Sequence, residues 1–381
     1  MRGVSIVGIG QIPVKKEYPQ TLRKLGSQAA SLAMEHAGVG RVDALFVGNM
    51  LSDELQSQKH LGALIASDAG MPGIEALQIR AATASGAAAL RLAYLAVASG
   101  QAELALAVGV EKMSGGVATP ALAKALDAED EVPDGATLIS RNAELMRMYF
   151  DRYGVPEDGL VNFSVNAHRN AHNNPNALFK DKTFSPRHVR NSRIIHAPMR
   201  LLDSSPICDG AAAVLLAPTD EARAFSSTPV NILASSVATD VFKIYDRKDP
   251  LWLEAAYRSA QSAFRQANAN REDISFYEVH DAFSITACLL LEATGFAERG
   301  EGWRLAATKK IGLRGPVPLS TMGGLKARGH PIGATALYQA CEMTLQLTGL
   351  AGKNQIRNPK LALAQSVGGV GSTVITHIFG N

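Results

Sequence analysis

Cysteine is nearly missing from this sequence: three occur in 381 residues, Cys208, Cys288 and Cys341. They are widely spaced, odd in number and never arranged as CxxC. Neither a disulfide framework nor a zinc site is expected, no metal is predicted, and a reducing cytoplasmic setting fits. Long hydrophobic runs are absent too. None reaches the roughly 18–20 residues of a membrane span, so no membrane segment is predicted. The opening MRGVSIVGIGQIPV is broken by Gly8, Gly10 and Pro13 too early for a signal peptide, and it reads as a buried first strand. The closing HIFGN carries no address signal. An excess of one charge is also lacking. With 38 Lys and Arg against 35 Asp and Glu the net charge is +3, too little for a dedicated nucleic-acid binder. What remains, 46% hydrophobic residues with 34 Gly and 17 Pro, excludes disordered and collagen-like chains.

The chain alternates strand and helix signals. Val4–Ile9, Ala44–Val47, Leu104–Val108 and Ala211–Leu216 read as strands in the first half. Leu22–His36, stopped by Gly38, and the alanine-rich Ser85–Ala98 read as helices. The second half repeats the grammar. Val230–Ala234 and Ile274–Val279 are predicted strands, and Leu251–Ala267 and Phe283–Ala293 predicted helices. The glycine-rich segment at 323–336 opens a helix to about Leu347. Leu361–Gln365 and Thr373–Ile378 read as strands around the turn Ser366–Ser372. The repeated alternation predicts a duplicated α/β chain with parallel-rich sheets covered by helices. Residues 115–205 differ, with more charge, Asn and His and weaker periodicity. They predict an inserted helical subdomain between an N-terminal half (1–114 plus 206–226) and a C-terminal half (227–381).

Four segments carry candidate chemistry. In AATASGAAALRLAYLAVASG (81–100) a small-residue turn leads into a helix, where orphan N–H groups and the dipole favour a nucleophile or an anion beside Thr83. Thr83 and Ser85 acting only as helix caps is the alternative. EVHDAF (278–283) ends a buried strand in His280 and Asp281, at the carboxyl end of a strand, where ligands of α/β proteins bind; a structural His–Asp pair is the other reading. In GGLKARGHPIGATA (323–336) the glycines permit close backbone approach, and His330 is placed to act as a general base or to be incidental. SVGGVGS (366–372) either lines an oxyanion hole or is a plain hairpin turn. The stretch from His168 to Arg200 is dense in basic residues, Arg187, Arg190 and Arg193 among them. It is either a solvated surface or a patch for phosphate groups.

In this order the four segments, with the stretch from Asp203 to Leu216 that ends in PICDGAAAVLL, resemble the thiolase family over essentially the whole chain. The likeness is particularly to the archaeal-type and sterol-carrier-protein-type branches. GGLKARGHPIGATA is the most specific piece. The resemblance implies a thiolase fold: two duplicated α/β halves in a five-layer αβαβα sandwich, with an inserted loop subdomain that contacts coenzyme A. It further implies a homodimer or homotetramer, no bound cofactor, a coenzyme A thioester as substrate, and acetyl-CoA C-acetyltransferase or acyltransferase chemistry.

Residue by residue, the resemblance puts Thr83 where the family has its nucleophilic cysteine and makes His330 the histidine that activates it. His280 stands where one branch has histidine and other members asparagine. The second, proton-shuttling cysteine is absent, with Ser366 in its usual place and Ala282 in its alternative place. Gly368 and Gly369 form the glycine turn of the oxyanion site, and Arg187, Arg190 and Arg193 become candidates for the phosphates of coenzyme A. A cysteine thiol is already partly thiolate at neutral pH and strongly nucleophilic, whereas a threonine hydroxyl is neither. Acyl transfer is therefore expected to be reduced or altered. Two other functions fit the same residues. One is a thiolase-like aldolase on β-hydroxyacyl-CoA without a covalent intermediate, with Tyr338 or Tyr245 as candidate acid or base. The other is a non-catalytic acyl-CoA-binding subunit. A small acyl-CoA-binding partner subunit is expected by the same resemblance.

Overall fold

The computed structural model describes residues 2–381. Nine strands form one mixed sheet: β1 (Val4–Gln11), β2 (Ala44–Gly48), β3 (Glu75–Ile79), β4 (Ala105–Lys112), β5 (Asp209–Pro218), β6 (Val230–Thr239), β7 (Ile274–Glu278), β8 (Leu361–Gly368) and β9 (Thr373–Gly380). Their order is β3-β2-β4-β5-β1-β6-β9-β8-β7. Counted outward from the seam between β1 and β6, each half runs first strand, last, last but one, second. That shared winding is the structural form of the repeated sequence grammar. The seam itself is slight, with Ser5 opposite Asn231 and Ile6 opposite Val230. The two halves thus form one hydrogen-bonded sheet rather than two separate ones.

Eight principal helices cover it: α1 (Leu22–Ala37), α2 (Leu61–Asp68), α3 (Ser85–Ser99), α4 (Leu138–Tyr153), α5 (Val161–Ala171), α6 (Glu254–Ala267), α7 (Ser284–Ala293) and α8 (Thr335–Leu347). Strand alternation sorts the cores. On β4, Leu106, Val108 and Val110 face α1 and α2, while Ala105 and Ala107 face α3 and α8. On β8, Ala362 and Ala364 face that same α3 and α8 layer, while Leu363 and Val367 face α6 and α7. The layers are therefore α1/α2, first half-sheet, α3/α8, second half-sheet, α6/α7. The alanine-rich sequence of α3 suits the middle layer, where small side chains let it approach α8 closely.

Residues between β4 and β5 hold α4, α5, short helical turns and the small hairpin Ile194–His196 with Met199–Arg200. α4 opens on a capping box: the Ser140 amide donates to Thr137 Oγ1 and the Thr137 amide to Ser140 Oγ. Its apolar face joins the core of α6 and α7. Several expected boundaries move: β4 runs on past Val108 to Lys112 and β6 past Ala234 to Thr239. α6 begins at Glu254, three residues after Leu251, and β8 continues through Ser366 to Gly368, which shortens the turn. No helix among the described residues is long and apolar enough to cross a membrane.

Candidate active site

The turn before α3 brings Thr83 to the heart of the molecule. Ala82 adopts φ 48, and Ser85 locks the turn: its Oγ donates to Ala82 O at 2.6 Å and accepts from the Ala81 amide at 3.0 Å. Ser85 is the structural residue of the pair. Thr83, 6% exposed, reaches the cavity, and its Oγ1 donates to the carbonyl of Val367 at 2.5 Å.

Glycine lets the loop bearing His330 seat against this turn. A Cβ on Gly333 would sit 2.5 Å from Gly48 O and 2.8 Å from Val110 O, and one on Gly86 would sit 2.5 Å from Gly333 O. Glu111 holds the same junction. Its carboxylate accepts from Asn49 Nδ2 (2.7 Å) and from the amides of Met50 (2.9 Å), Leu51 (3.0 Å) and Gly333 (3.0 Å). Burial pushes this carboxyl up to about 7 in spite of those donors.

His330 and His280 meet edge to face, ring centroids 5.2 Å apart at 89°. The His330 amide donates to Cys208 Sγ at 3.2 Å, and its Nδ1 lies 2.7 Å from Thr335 Oγ1. The Thr335 hydroxyl spends its one proton on Pro331 O at 3.2 Å, so it accepts from Nδ1–H. That assignment leaves the Nε2 lone pair free. His280 Nδ1 is buried without a partner. A buried lone pair is better tolerated there than an orphan N–H, which puts the hydrogen on Nε2. Burial keeps both rings neutral. It lowers His280 to about 3, helped by the positive charge of Lys326, and holds His330 well below its ordinary value, helped by His280 and Arg328.

Asp281 does not pair with His280. Its Oδ1 accepts from the Leu325 amide and its carbonyl from Lys326 Nζ, each at 2.7 Å, so it braces the glycine-rich segment instead.

A cavity of about 380 Å3 joins Thr83, His280, His330 and Ala282 to the glycine turn through Gly369 and Gly371. Those two glycines have φ 63 and 90 and complete a turn that a side chain would strain. Other expected residues lie elsewhere. Ser366 sits inside β8 opposite Ile375 and is not in the cavity wall, because strand alternation turns it away from the face that carries Val367. Gly368 supports the Thr83 turn rather than lining the cavity; a Cβ there would be 2.7 Å from Ala81 O. Tyr338 is committed to the backbone, donating to Ile12 O at 2.6 Å and accepting from the Ala211 amide at 3.1 Å. Tyr245 is 55% exposed and lies under the Arg141 guanidinium. Neither tyrosine is a wall residue. Arg193 lines the cavity, whereas Arg187 and Arg190 do not; Arg190 lies 3.6 Å from Asp158. No cysteine lines the cavity, and burial pushes Cys208 up to about 12, which makes it inert. Among the described residues no cluster of three or more His, Cys, Asp or Glu is arranged to hold a metal.

The supporting residues Glu111, Cys208 and Thr335 were not anticipated. Only Thr335 carried a signal, a hydroxyl five residues beyond His330 at the start of a helix.

A five-layer α/β protein of two similarly wound halves, with paired neutral histidines beside a glycine turn, is the class these features define. The chain belongs to the thiolase family. Residues 4–220 match the model of the thiolase N-terminal domain, and residues 236–381 that of the thiolase C-terminal domain-like family. It is 41% identical to an acetyl-CoA acetyltransferase of Methanothermobacter thermautotrophicus over the full length of both chains. It is 36% identical to one of Methanocaldococcus jannaschii, over 99% of each. Among solved structures it matches one described as Ltp2-ChsH2(DUF35) aldolase at TM-score 0.86 and 23% identity. That match covers 99% of this chain and 97% of the other.

Proposed function

We propose that the chain acts on coenzyme A thioesters, forming the enolate of an acyl group between His280 and His330 and making or breaking a carbon–carbon bond beside the carbonyl. The observation that carries this is the pair of buried rings, His280 and His330, meeting edge to face 5.2 Å apart in the wall of one cavity, with His330 Nδ1 engaged by Thr335 Oγ1. One ring takes a proton while the other donates to the developing oxyanion. Amides around Gly369 supply further donors. In the acetyltransferase direction Thr83 Oγ attacks the acyl carbonyl as His330 Nε2 takes its proton. The C–S bond breaks, and coenzyme A leaves with that proton. The enolate of a second acyl-CoA then attacks the ester and releases Thr83. A threonine hydroxyl has no useful anionic fraction at neutral pH, so this route is slow.

A second reading, retro-aldol cleavage of a β-hydroxyacyl-CoA, is favoured by the hydrogen bond from Thr83 to Val367 and by a cavity wall without a thiol. Here His330 takes the β-hydroxyl proton, the carbon–carbon bond breaks, and the enolate collapses on His280 with no acyl-enzyme. The solved aldolase is described with a DUF35 component. That likeness supports a small partner subunit for this chain; a homodimeric or homotetrameric state and a cytoplasmic location are proposed beside it on the family resemblance alone. Arg193 at the cavity, with Arg187 and Arg190 beyond it, is proposed to meet the phosphates of coenzyme A.

Incubation with acetoacetyl-CoA plus coenzyme A, and separately with a β-hydroxyacyl-CoA, followed by product analysis and intact mass, tests this. Acyl transfer gives a protein carrying an ester, aldol cleavage an aldehyde or ketone and unmodified protein. Neither product from either substrate defeats the proposal.

A further inference from the structure

The wall of the cavity is uneven, and the unevenness concerns the acyl group. Exposure divides it into two ends. Leu201 (47% exposed) and Ile207 (44%) stand at the open end with Arg193. At the closed end, between α4 and α7, Leu145 and Leu289 are each 2% exposed or less, and Met113, Leu253 and Val370 elsewhere in the wall are 5% or less. Apart from the reacting Thr83, His280 and His330, the buried polar side chains of the wall are Asn142 on α4 and Thr286 on α7, and they satisfy each other. Thr286 Oγ1 donates to Asn142 Oδ1 at 2.9 Å, and Asn142 Nδ2 donates to Leu138 O at 2.8 Å. No charged side chain lines the closed end. An acetyl group occupies roughly the space of two or three waters, at about 30 Å3 each, far less than the cavity holds. Left dry and unfilled, such apolar walls forfeit their contacts.

Resting on the thioester reading above, we infer that the closed end between α4 and α7 is an acyl-chain pocket for uncharged aliphatic chains several carbons longer than acetyl. The coenzyme A part lies toward Arg193 at the open end. With Asn142 and Thr286 spending their polar groups on each other and on Leu138, nothing there rewards a polar chain terminus. A terminal carboxylate would be buried without a cation, which strongly disfavours dicarboxylic acyl groups.

A ladder of ligands measured by calorimetry on the full chain tests this: coenzyme A, then acetyl-, butyryl-, hexanoyl- and succinyl-CoA. Affinity is expected to rise about three- to fourfold per methylene from acetyl to hexanoyl, the ratio for burying one CH2, with succinyl-CoA weaker than butyryl-CoA. Leu289→Trp should cut the hexanoyl-to-acetyl affinity ratio at least tenfold. Leu145→Ala, which shrinks the wall instead of crowding it, should move the optimum to longer chains. Ligands that all bind equally, or a preference for succinyl-CoA, overturn the pocket and leave the thioester reading standing. Failure of every ligand to bind, coenzyme A included, overturns the thioester reading and the pocket with it.

Discussion

Thr335 Oγ1 lies 2.7 Å from His330 Nδ1 and hands its own proton to Pro331 O, so one hydroxyl decides which nitrogen of the histidine faces substrate. Thr335→Val keeps the shape and removes the acceptor. Turnover should fall roughly 10²-fold while KM stays within a few fold, since a wrong tautomer harms proton transfer and not binding. Thr335→Ser should restore most of the rate. Equal loss in both variants would make the residue merely structural.

The two imidazoles should also leave no trace of an ordinary histidine in the pH profile. A ring lowered to about 3, and another held well below 6.5, stay neutral and competent as pH falls through 6.5. The charges facing them, Lys326 and Arg328, push in the same direction. The two rings should therefore add no acid limb to kcat/KM from pH 8 down to about 5.5; a limb near 7 that Glu111→Gln removes belongs to the Glu111 carboxyl. An acid limb with a midpoint near 6.5 that survives Glu111→Gln would show an exposed, ordinary histidine in the role of base.

Thr83→Cys should speed thiolysis of acetoacetyl-CoA by at least about tenfold, because a thiolate then stands beside an unchanged His330. Thr83→Ala separates the two reactions. It should abolish acyl transfer yet leave aldol cleavage within a few fold. Kinetics on both substrates with both variants decides between them.

Gly333 is the contact on which the junction of the halves rests. With Gly48 O only 2.5 Å from a would-be Cβ, Gly333→Ala must push backbone apart and shift the His330 loop away from Thr83. A loss of roughly 2 kcal/mol or more in denaturant unfolding is expected, together with loss of activity. Ala at the exposed Gly40, where a Cβ meets nothing, should be silent in both assays.

Much of this architecture was legible in the sequence because it is written in local periods: apolar strands, an alanine-rich helix closed by Gly100, and glycine segments beside His280 and His330. Ser366 shows where a motif ends and geometry takes over. One residue of strand alternation sets it on the face away from the cavity while Val367 faces in. Asp281 looked like a partner for His280 by adjacency, yet its carboxylate is taken by the Leu325 amide 44 residues on. The apolar wall of α4 was readable in principle. Leu138, Asn142, Leu145 and Tyr149 recur at helical spacing within a stretch whose charges blurred the pattern. Glu111 was not readable at all, since its four donors come from two segments far from it in sequence, residues 49–51 and Gly333.

The most direct measurement is exchange of the α-hydrogens of acetyl-CoA and hexanoyl-CoA into D2O, followed by mass spectrometry. Both the transferase and aldol reactions pass through the same enolate, so exchange requires neither a nucleophile nor a second substrate. The wild-type protein should catalyse it, and His330→Ala should slow it by roughly 10²–10³ while ligand affinity holds. No exchange above buffer, or exchange indifferent to His330→Ala, would contradict an enolate held between His280 and His330.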